Sequence, residues 1–164
     1  MKDTTLCLLV RGEGEGRHIL LAMKKRGFGQ GKWNGVGGKV NEGETVEQAL
    51  VRETGEEIGV RIKDFQKAAD LTFVFSGEKP KPDWNQRCHV YLATEWEGEP
   101  EESEEMRPKW YPVSKIPFDK MWPDDRHWLP RVLESKKVEA TFTFIGEKGD
   151  VLKDVSLREV KRWA

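Results

Sequence analysis

The sequence lacks the features that mark secreted and membrane-spanning proteins. It has only two cysteines, Cys7 and Cys88, with no metal-binding spacing, and both lie in apolar runs typical of buried strands. No stretch approaches the roughly 20 apolar residues that a membrane span needs, and the apolar run at 6–10 is shorter than the core of a signal peptide. We therefore expect a cytoplasmic protein that needs no membrane.

The sequence also lacks an excess of positive charge. Its 28 basic and 29 acidic residues leave a formal net charge of −1, whereas proteins that coat nucleic acids are strongly basic. Internal repeats and linkers are absent, and a chain with 10% aromatic residues is too rich in them to be disordered. The 164 residues predict one domain, 1–164, with a substantial core. We expect a monomer that requires no nucleic-acid partner.

Alternating apolar residues and turn signals predict a series of strands with two helices among them. The expected strands cover 4–11, 18–24, 67–75, 89–96, 109–113, 138–145 and 151–160, with a further short strand leading into Gly37 and Gly38. The second helix is expected at 124–135, with Asp124 near its N-cap and Pro130 as a point where it kinks or breaks. This mixture is typical of an α+β sandwich.

The first helix has clear limits in the sequence. Thr45 and Gln48 have the spacing of a capping box at its start, and Gly59 is a natural C′ residue at its end. Gly55 inside the helix costs about 1 kcal/mol relative to alanine. Such a glycine predicts close packing by another element.

The inward face of this helix changes character halfway along. It begins with the apolar residues Val46, Ala49 and Leu50. The same spacing then reaches Glu53, Glu56 and Glu57. A solvated acidic face is the ordinary alternative, but here the carboxylates share the apolar stripe. Because unpaired carboxylates are costly to bury, the pattern favours a hard divalent cation as their partner.

This segment resembles the signature of the Nudix hydrolase family, whose members act on a nucleoside diphosphate linked to another moiety. The matching positions are Gly38, Glu44, Arg52, Glu53, Glu56, Glu57 and Gly59. One position departs, since the signature has an aliphatic residue where this chain has Thr54. The threonine predicts slightly weaker packing and unchanged chemistry. The resemblance implies an α/β/α sandwich with a mixed β-sheet, a detail that periodicity alone does not provide.

The resemblance also implies a metal site. In the family, the positions of Glu53, Glu56 and Glu57 carry the metal, and one of these glutamates helps to activate water. A backbone carbonyl at the position of Gly37 joins the site, and a later loop brings a further glutamate that corresponds to Glu105. Mg²⁺ prefers a few carboxylates together with substrate oxygens and waters. We therefore expect Mg²⁺ as the cofactor, with Mn²⁺ as an alternative.

A positive segment and Arg52 complete the expected catalytic end. Arg52 leaves the helix on a different side, and its family role is to orient the glutamates through charge-assisted bonds. With Glu53, Glu56 and Glu57 it forms the predicted catalytic group. The segment before the helix is rich in cations: Lys24, Lys25, Arg26, Lys32 and Lys39. It could hold a phosphate tail or form a plain solvated loop, and we assign Lys24 to substrate binding.

Blocks outside the signature resemble the MutT-like members of the family that act on oxidised purine nucleoside triphosphates. These blocks cover 23–29, 33–35, 105–108, 116–118, 121–125 and 157–160. By position, the purine base would be hydrogen-bonded by Asn34, Asp124 and Asp125. Phe28 and Trp122 would pack on it, with Phe73, Phe75 and Thr5 as further pocket residues. Without the surrounding match, 122–125 would be interpreted as a helix N-cap preceded by a core tryptophan.

Two adjacent carboxyl groups in an aromatic pocket are not both charged when dry, so one of them is expected to hold a proton. Such a pair can act as donor and as acceptor, which suits the edges of both oxidised guanine and oxidised adenine. The loop at 76–87, with two prolines and a tryptophan, is longer than in the resembling enzymes and could cover the base.

The expected function is therefore the Mg²⁺-dependent hydrolysis of 8-oxo-dGTP and 2-oxo-dATP to the monophosphate and pyrophosphate. This reaction would remove damaged nucleotides from the pool. Two alternatives stay open at this point. One is a nucleotide-binding module without catalysis, and the other is a pyrophosphohydrolase that acts on RNA ends.

Overall fold

The computed structural model describes residues 1–163 and contains eight strands and two α-helices within them. The strands are β1 (Lys2–Arg11), β2 (His18–Lys24), β3 (Trp33–Asn34), β4 (Arg61–Phe75), β5 (Gln86–Glu97), β6 (Met106–Pro112), β7 (Lys137–Ile145) and β8 (Val151–Val160). The helices are α1 (Val46–Ile58) and α2 (Asp125–Leu133). In this part of the chain no helix is both long and apolar enough to cross a membrane.

The strands form one mixed sheet in the order β3-β2-β1-β5-β4-β7-β8, and β6 pairs with β2 beside this path. β1 pairs in parallel with β5, and β4 pairs in parallel with β7. The other pairings are antiparallel, including those of the consecutive strands β1 and β2 and of β7 and β8. The parallel pairs bring distant parts of the chain side by side at the centre of the sheet.

The two helices cover opposite faces of the sheet. Leu50 and Ile58 of α1 pack in one core cluster with Leu9 and Ala93 of the sheet. The residues of α2 pack in the other cluster, where Trp128 is almost fully buried. Two separate cores on two faces make an α/β/α sandwich, which confirms the expected fold class.

Helix α1 begins and ends as expected. Thr45 and Gln48 form both bonds of the capping box, and Gly59 closes the helix with φ of 71°. Thr54 is fully buried, and its hydroxyl donates to the Leu50 carbonyl at 2.7 Å, so the polar atom is satisfied inside the helix. The prediction for Gly55 was wrong, because this residue is exposed and no element packs closely against it.

Several strand limits differ from the expected ones. Strand β4 begins at Arg61, well before the expected residue 67. Bulges between Ile62 and Ala69 shift its register against β5 and interrupt the alternation of apolar and polar side chains, so the sequence pattern did not show this part of the strand. The short strand β3 lies at Trp33–Asn34, before the expected position. The segment that follows it meets β1 only through isolated bridges at Val36 and Lys39. Local patterns therefore located the strands but not their ends.

Helix α2 continues through Pro130 to Leu133. A proline inside a helix removes one backbone hydrogen bond and crowds the preceding turn. Here Leu129, Val132 and Leu133 are buried on either side of the proline, so core packing holds the last turn in place.

Candidate active site

A cavity of about 290 Å³ lies between β1, the glycine-rich segment before α1, and the start of α2. Its walls include every residue that the sequence assigned to substrate binding: Thr5, Lys24, Phe28, Asn34, Phe73, Phe75, Trp122, Asp124 and Asp125. These residues come from β1, β2, β3, β4, two loops and the start of α2. The fold therefore brings the predicted pocket residues together, while their roles in binding stay a prediction.

Aromatic rings form one part of the cavity wall. The rings of Phe28 and Trp122 are stacked, with centroids 5.2 Å apart and planes 28° apart. On β4, Phe75 stacks on Phe144 at 5.4 Å, and Phe73 stacks on Phe142 at 5.8 Å. Such surfaces suit the flat, apolar faces of a purine.

Two buried aspartates form the polar end of the cavity. Asp124 and Asp125 are 3% and 2% exposed. The indole N–H of Trp128 donates to Asp124 at 2.9 Å, whereas Asp125 Oδ2 has no partner among the described residues. Burial raises the pKa of Asp124 to about 6. Burial, and then the charge of Asp124, raise the pKa of Asp125 well above its ordinary value. This geometry favours a proton on Asp125.

Asp124 stands at the N-cap of α2, as expected, but its side chain does not cap the helix. The residue has helical backbone angles (φ −71°, ψ −29°), and its carboxylate bonds Trp128 one turn later. The side chain is thus held beside the cavity instead of being used by the helix. Asn34, across the cavity, accepts from the Gly35 N–H through Oδ1 at 2.9 Å.

The three glutamates of α1 are not equally buried. Glu57 is 7% exposed, the side chain of Glu53 is 17% exposed, and that of Glu56 is 61% exposed. The expectation of a shared inward stripe is therefore wrong for Glu56. Residues four apart lie almost above one another on a helix, whereas a step of three falls short of a full turn. Glu56 consequently lies at the edge of the stripe, next to solvent.

Arg52 holds the outer part of this carboxylate group. Its Nε and Nη2 donate to Glu44 at 2.7 and 2.9 Å, and its Nη1 donates to Glu53 at 2.8 Å and Glu56 at 3.3 Å. Arg52 Nη2 also donates a hydrogen bond to the Lys39 carbonyl oxygen at 3.1 Å. The Arg52 hydrogen bond keeps the pKa of Glu44 at about 2. Although Arg52 occupies another side of the helix, its guanidinium thus connects two of the three glutamates to the loop before α1.

Two glycines let this loop approach the glutamates closely. A Cβ atom on Gly38 would lie 2.4 Å from the carboxyl carbon of Glu53. A Cβ atom on Gly37 would lie 1.8 Å from the Thr5 carbonyl oxygen. The Thr5 N–H in turn donates to the Gly38 carbonyl at 2.8 Å. Larger residues would push the loop, the glutamate and strand β1 apart.

Glu57 is the carboxyl group that most needs a partner. Its Oε2 is buried without a hydrogen-bond partner among the described residues. Burial raises its pKa to about 8, and the charge of Glu53 adds to this effect. Lys24 and a backbone hydrogen bond from Gly37 oppose it. An unsatisfied, all-oxygen donor set of this kind fits a hard divalent cation.

The four glutamates assigned to the metal do not converge on one point. Within residues 1–163, no three His, Cys, Asp or Glu side chains are grouped closely enough to form a metal site. Like charges repel, and Arg52 draws Glu53 and Glu56 towards itself. Glu105 lies on the acidic loop, 3.6 Å from Arg26, and its charge contributes to the raised pKa of Glu57. The assignment of Gly37, Glu53, Glu56, Glu57 and Glu105 to a metal remains a prediction.

The basic segment divides into two groups. Lys24, Lys32 and Lys39 line the cavity, and Lys32 Nζ lies 5.1 Å from the ring centre of Trp122. Lys25 and Arg26 instead pair with the acidic loop, through Glu102 and through Glu104 and Glu105 respectively. Only the first group can contribute positive charge directly to a ligand in the cavity.

Sequence reasoning missed several cavity residues. Gln86 and Cys88 stand two apart on β5 and line the cavity together. The period-two rule for strands could have found Gln86 once Cys88 was placed in the core. Trp84, which does not line the cavity itself, contacts the lining residue Phe28 with ring centroids 4.7 Å apart. No signal in the sequence linked the loop that carries Trp84 with the loop that carries Phe28, since their contact depends on the assembled sheet.

Comparisons with known proteins agree with this geometry. The NUDIX domain family matches residues 1–132. An oxidized purine nucleoside triphosphate hydrolase of Danio rerio is 47% identical over 160 residues, which cover 98% of this chain and 96% of that protein. The Mus musculus protein of the same name is 44% identical and covers 88% of each chain.

A solved structure of a MutT protein from Bacillus halodurans has the same fold. Its TM-score is 0.82 at 26% identity, with 96% of this chain and 97% of that chain covered. The family match spans α1 with its three glutamates, which we call the carboxylate helix, and every residue that lines the cavity except Phe144, and the relatives cover nearly the whole chain. The chain therefore belongs to the Nudix family.

Proposed function

We propose that this enzyme hydrolyses oxidised purine nucleoside triphosphates such as 8-oxo-dGTP and 2-oxo-dATP, and releases the monophosphate and pyrophosphate. The relatives from Danio rerio and Mus musculus carry the name oxidized purine nucleoside triphosphate hydrolase. An Escherichia coli relative, 41% identical over 64 residues, is an 8-oxo-dGTP diphosphatase. The same reaction is supported by these names, by the carboxylate helix, and by the cavity lined by Phe28, Trp122, Asp124 and Asp125, which would hold the purine and which we call the base cavity.

One observation carries the proposal: the base cavity and the carboxylate helix share a wall. Lys24 and Gly37 line the cavity, and the same two residues act on Glu57 through charge and a backbone hydrogen bond. A ligand whose base lies between Phe28 and the aspartates would extend its phosphates past Lys24 towards Glu57. The arrangement therefore suits a nucleotide better than a base or a phosphate alone.

At the catalytic end, Glu53, Glu56, Glu57, Glu105 and the Gly37 carbonyl would hold the cation. A bound Mg²⁺, or Mn²⁺ in its place, would neutralise charge on the phosphate oxygens and orient the attacking water. Arg52 keeps Glu53 and Glu56 in fixed positions through its planar donors. One of the glutamates of α1 would also help to activate the attacking water.

At the base end, a neutral Asp125 would donate a hydrogen bond and a charged Asp124 would accept one. The side-chain amide of Asn34 can both donate and accept hydrogen bonds. Phe28 and Trp122 would pack on the faces of the purine. Base recognition would thus rely on Asp124 and Asp125, whose shared proton can move to match the donors and acceptors on the edge of the bound purine.

The phosphates would lie along Lys24 and Lys39, which line the cavity near the helix. Because the base is held at one end and the glutamates at the other, an inner anhydride bond would be presented for attack. Attack at the α- or the β-phosphorus gives the same pair of products. We further propose that the enzyme acts as a cytoplasmic monomer with one domain.

A panel of substrates tests the proposal. The purified enzyme would be offered 8-oxo-dGTP, 2-oxo-dATP, the four normal deoxynucleoside triphosphates and a capped RNA, each at low concentration, with and without Mg²⁺. We expect the highest kcat/KM for the oxidised purines and no turnover without a divalent cation. Binding without turnover would support the non-catalytic alternative, and a preference for the RNA would support the RNA-end alternative.

A further inference from the structure

The ring of Phe28 is the least supported wall of the base cavity. It is 44% exposed, unlike the buried or half-buried rings on the other walls. It lies between Gly27 and Gly29, both with φ of 81°, in a loop that is closed by turn hydrogen bonds rather than by sheet pairing. Glycine adopts this conformation without steric cost, and the turn hydrogen bonds hold the backbone of the loop but not the ring. The orientation of the Phe28 ring therefore depends on what the ring touches.

Besides Trp122 and Phe75, the ring of Phe28 contacts Trp84, which lies on the loop at 76–85. The Phe28 and Trp84 centroids are 4.7 Å apart with planes at 64°, the shortest aromatic contact that Phe28 makes. Edge-to-face pairs of this kind are favourable beyond the area they bury. Trp84 thus supports Phe28 from outside the cavity, since it is absent from the cavity wall itself.

Trp84 has firm support of its own. It packs edge-on against Phe75 at 5.5 Å and is half-buried against the core. Gly149, in the turn between β7 and β8, approaches so closely that a Cβ atom there would lie 3.0 Å from the indole. The Gln86 side chain donates to the Trp84 carbonyl at 3.1 Å, and the Phe75 N–H donates to Asn85 at 2.8 Å. The indole is therefore fixed to the sheet.

We infer that Trp84 is a positioning residue that holds Phe28 over the base cavity and thereby sets the affinity for the purine. The inference rests on the proposed function, because it assumes that the cavity binds a base. Trp84 does not line the cavity itself but packs behind two residues that do, Phe28 and Phe75, so it should act on binding and leave the chemical step unchanged. Its contribution should pass mainly through Phe28, because Phe28 is exposed whereas Phe75, the other lining residue that Trp84 contacts, is buried in the core and held by Phe144 as well.

A double-mutant cycle tests this inference with Trp84→Ala, Phe28→Ala and the combined variant. KM, kcat and the melting temperature would be measured for each with 8-oxo-dGTP. We expect Trp84→Ala to raise KM about three- to tenfold, the effect of one aromatic pair, with kcat within about twofold of the parent. In the Phe28→Ala background the same change should have a clearly smaller effect on KM, because the main contact through which Trp84 acts is already gone. Trp84→Phe should restore most of the affinity.

The matched control is Trp96→Ala. Trp96 is also half-buried and stacks on another tryptophan, Trp110, at 5.8 Å, but it lies in the other core cluster. It should lower the melting temperature without changing KM. An unchanged KM in Trp84→Ala, or an equal loss in the presence and absence of Phe28, would overturn the inference. If the parent itself cleaves no oxidised purine nucleotide, the proposed function fails instead, whatever Trp84 does.

Discussion

The aspartate end of the cavity and the glutamate cluster on α1, next to its opposite end, each contain a buried carboxyl oxygen without a hydrogen-bond partner among residues 1–163, yet their surroundings differ. Glu57 Oε2 lies among further carboxylates and next to Lys24, whereas Asp125 Oδ2 lies among aromatic rings beside a single aspartate. The pKa is raised at both. We propose that a divalent cation relieves the charge at Glu57, whereas a proton relieves it at Asp125. The same physical problem thus has two solutions, one suited to catalysis and one to recognition.

The variant Glu57→Gln should show the largest effect, because it removes the charge that the cation needs. We expect turnover to fall by about 10² or more. Without metal, the variant should be at least as stable as the parent, since repulsion from Glu53 is relieved. Steady-state kinetics with Mg²⁺ and thermal melting with a chelator check both parts. The control is Glu47→Gln, an exposed position on the same helix, and normal Mg²⁺-dependent activity in Glu57→Gln would contradict the account.

The variant Arg52→Lys should have the second largest effect. Lysine keeps the charge but loses the planar fork that bonds Glu44, Glu53 and Glu56 together. Groups that orient metal ligands typically account for about 10- to 100-fold in activity or metal affinity. We therefore expect a loss in this range when activity is titrated with Mg²⁺. Arg61→Lys, on the exposed start of β4, serves as the control, and an Arg52→Lys enzyme with the parent's Mg²⁺ dependence would argue against an orienting role.

The variant Asn34→Ala should weaken binding of the base in the cavity and leave the metal-dependent chemistry at α1 unchanged. It removes a hydrogen-bonding group from the cavity wall, at a cost of about 1–3 kcal/mol when a buried partner on the base is left unpaired. KM for 8-oxo-dGTP should rise accordingly, while circular dichroism still shows a folded protein. Asn41→Ala, in the exposed loop before α1, is the matched control. If Asn34→Ala binds the oxidised substrate as well as the parent does, the base lies elsewhere.

The smallest effect is expected for the stability of Asp125→Asn. Because the pKa values of Asp124, Asp125 and Glu57 are raised, these three groups together hold more protons in the folded protein than in the unfolded chain at pH values above their ordinary pKa values. The free energy of unfolding should therefore fall as the pH rises through about 6, where Asp124 titrates. Asp125→Asn should flatten this dependence and raise the melting temperature at pH 8, by about 2–4 °C for each kcal/mol gained. The exposed Asp154→Asn is the control. A parent whose stability is flat or rising over this range would contradict the raised pKa values.

The two ends also differ in how far the sequence predicts them. The catalytic end lies almost entirely within residues 44–57, so one helix period and one signature locate Arg52, Glu53 and Glu57 together. The helical period did not predict how exposed Glu56 is. Burial at the edge of a helical stripe depends on what packs beside it, and here solvent and Arg52 lie next to Glu56. Local spacing predicts which residues share a helix and only approximates how deeply each is buried.

The base end could not be assembled from local patterns. Its residues are spread from Thr5 to Asp125, and the parallel pairing of β1 with β5 and β4 with β7 brings them together. Only the resemblance to MutT-like enzymes identified most of them. Gln86 and Trp84 both lie in the loop at 76–87, which the sequence indicated as a possible cover for the base, but the sequence assigned neither residue a role of its own. Contacts between loops of distant strands depend on the assembled fold, which no short window of sequence contains.

We propose that both regions bind one nucleotide, which is held by its base at Asp125 and by its phosphates near Glu57. Chromatography of a reaction with 8-oxo-dGTP can show which bond is cut. We expect 8-oxo-dGMP and pyrophosphate, because an inner anhydride bond reaches the carboxylate helix when the base occupies the cavity. The release of 8-oxo-dGDP and inorganic phosphate would mean that the terminal bond is cut and that the nucleotide does not lie in this position.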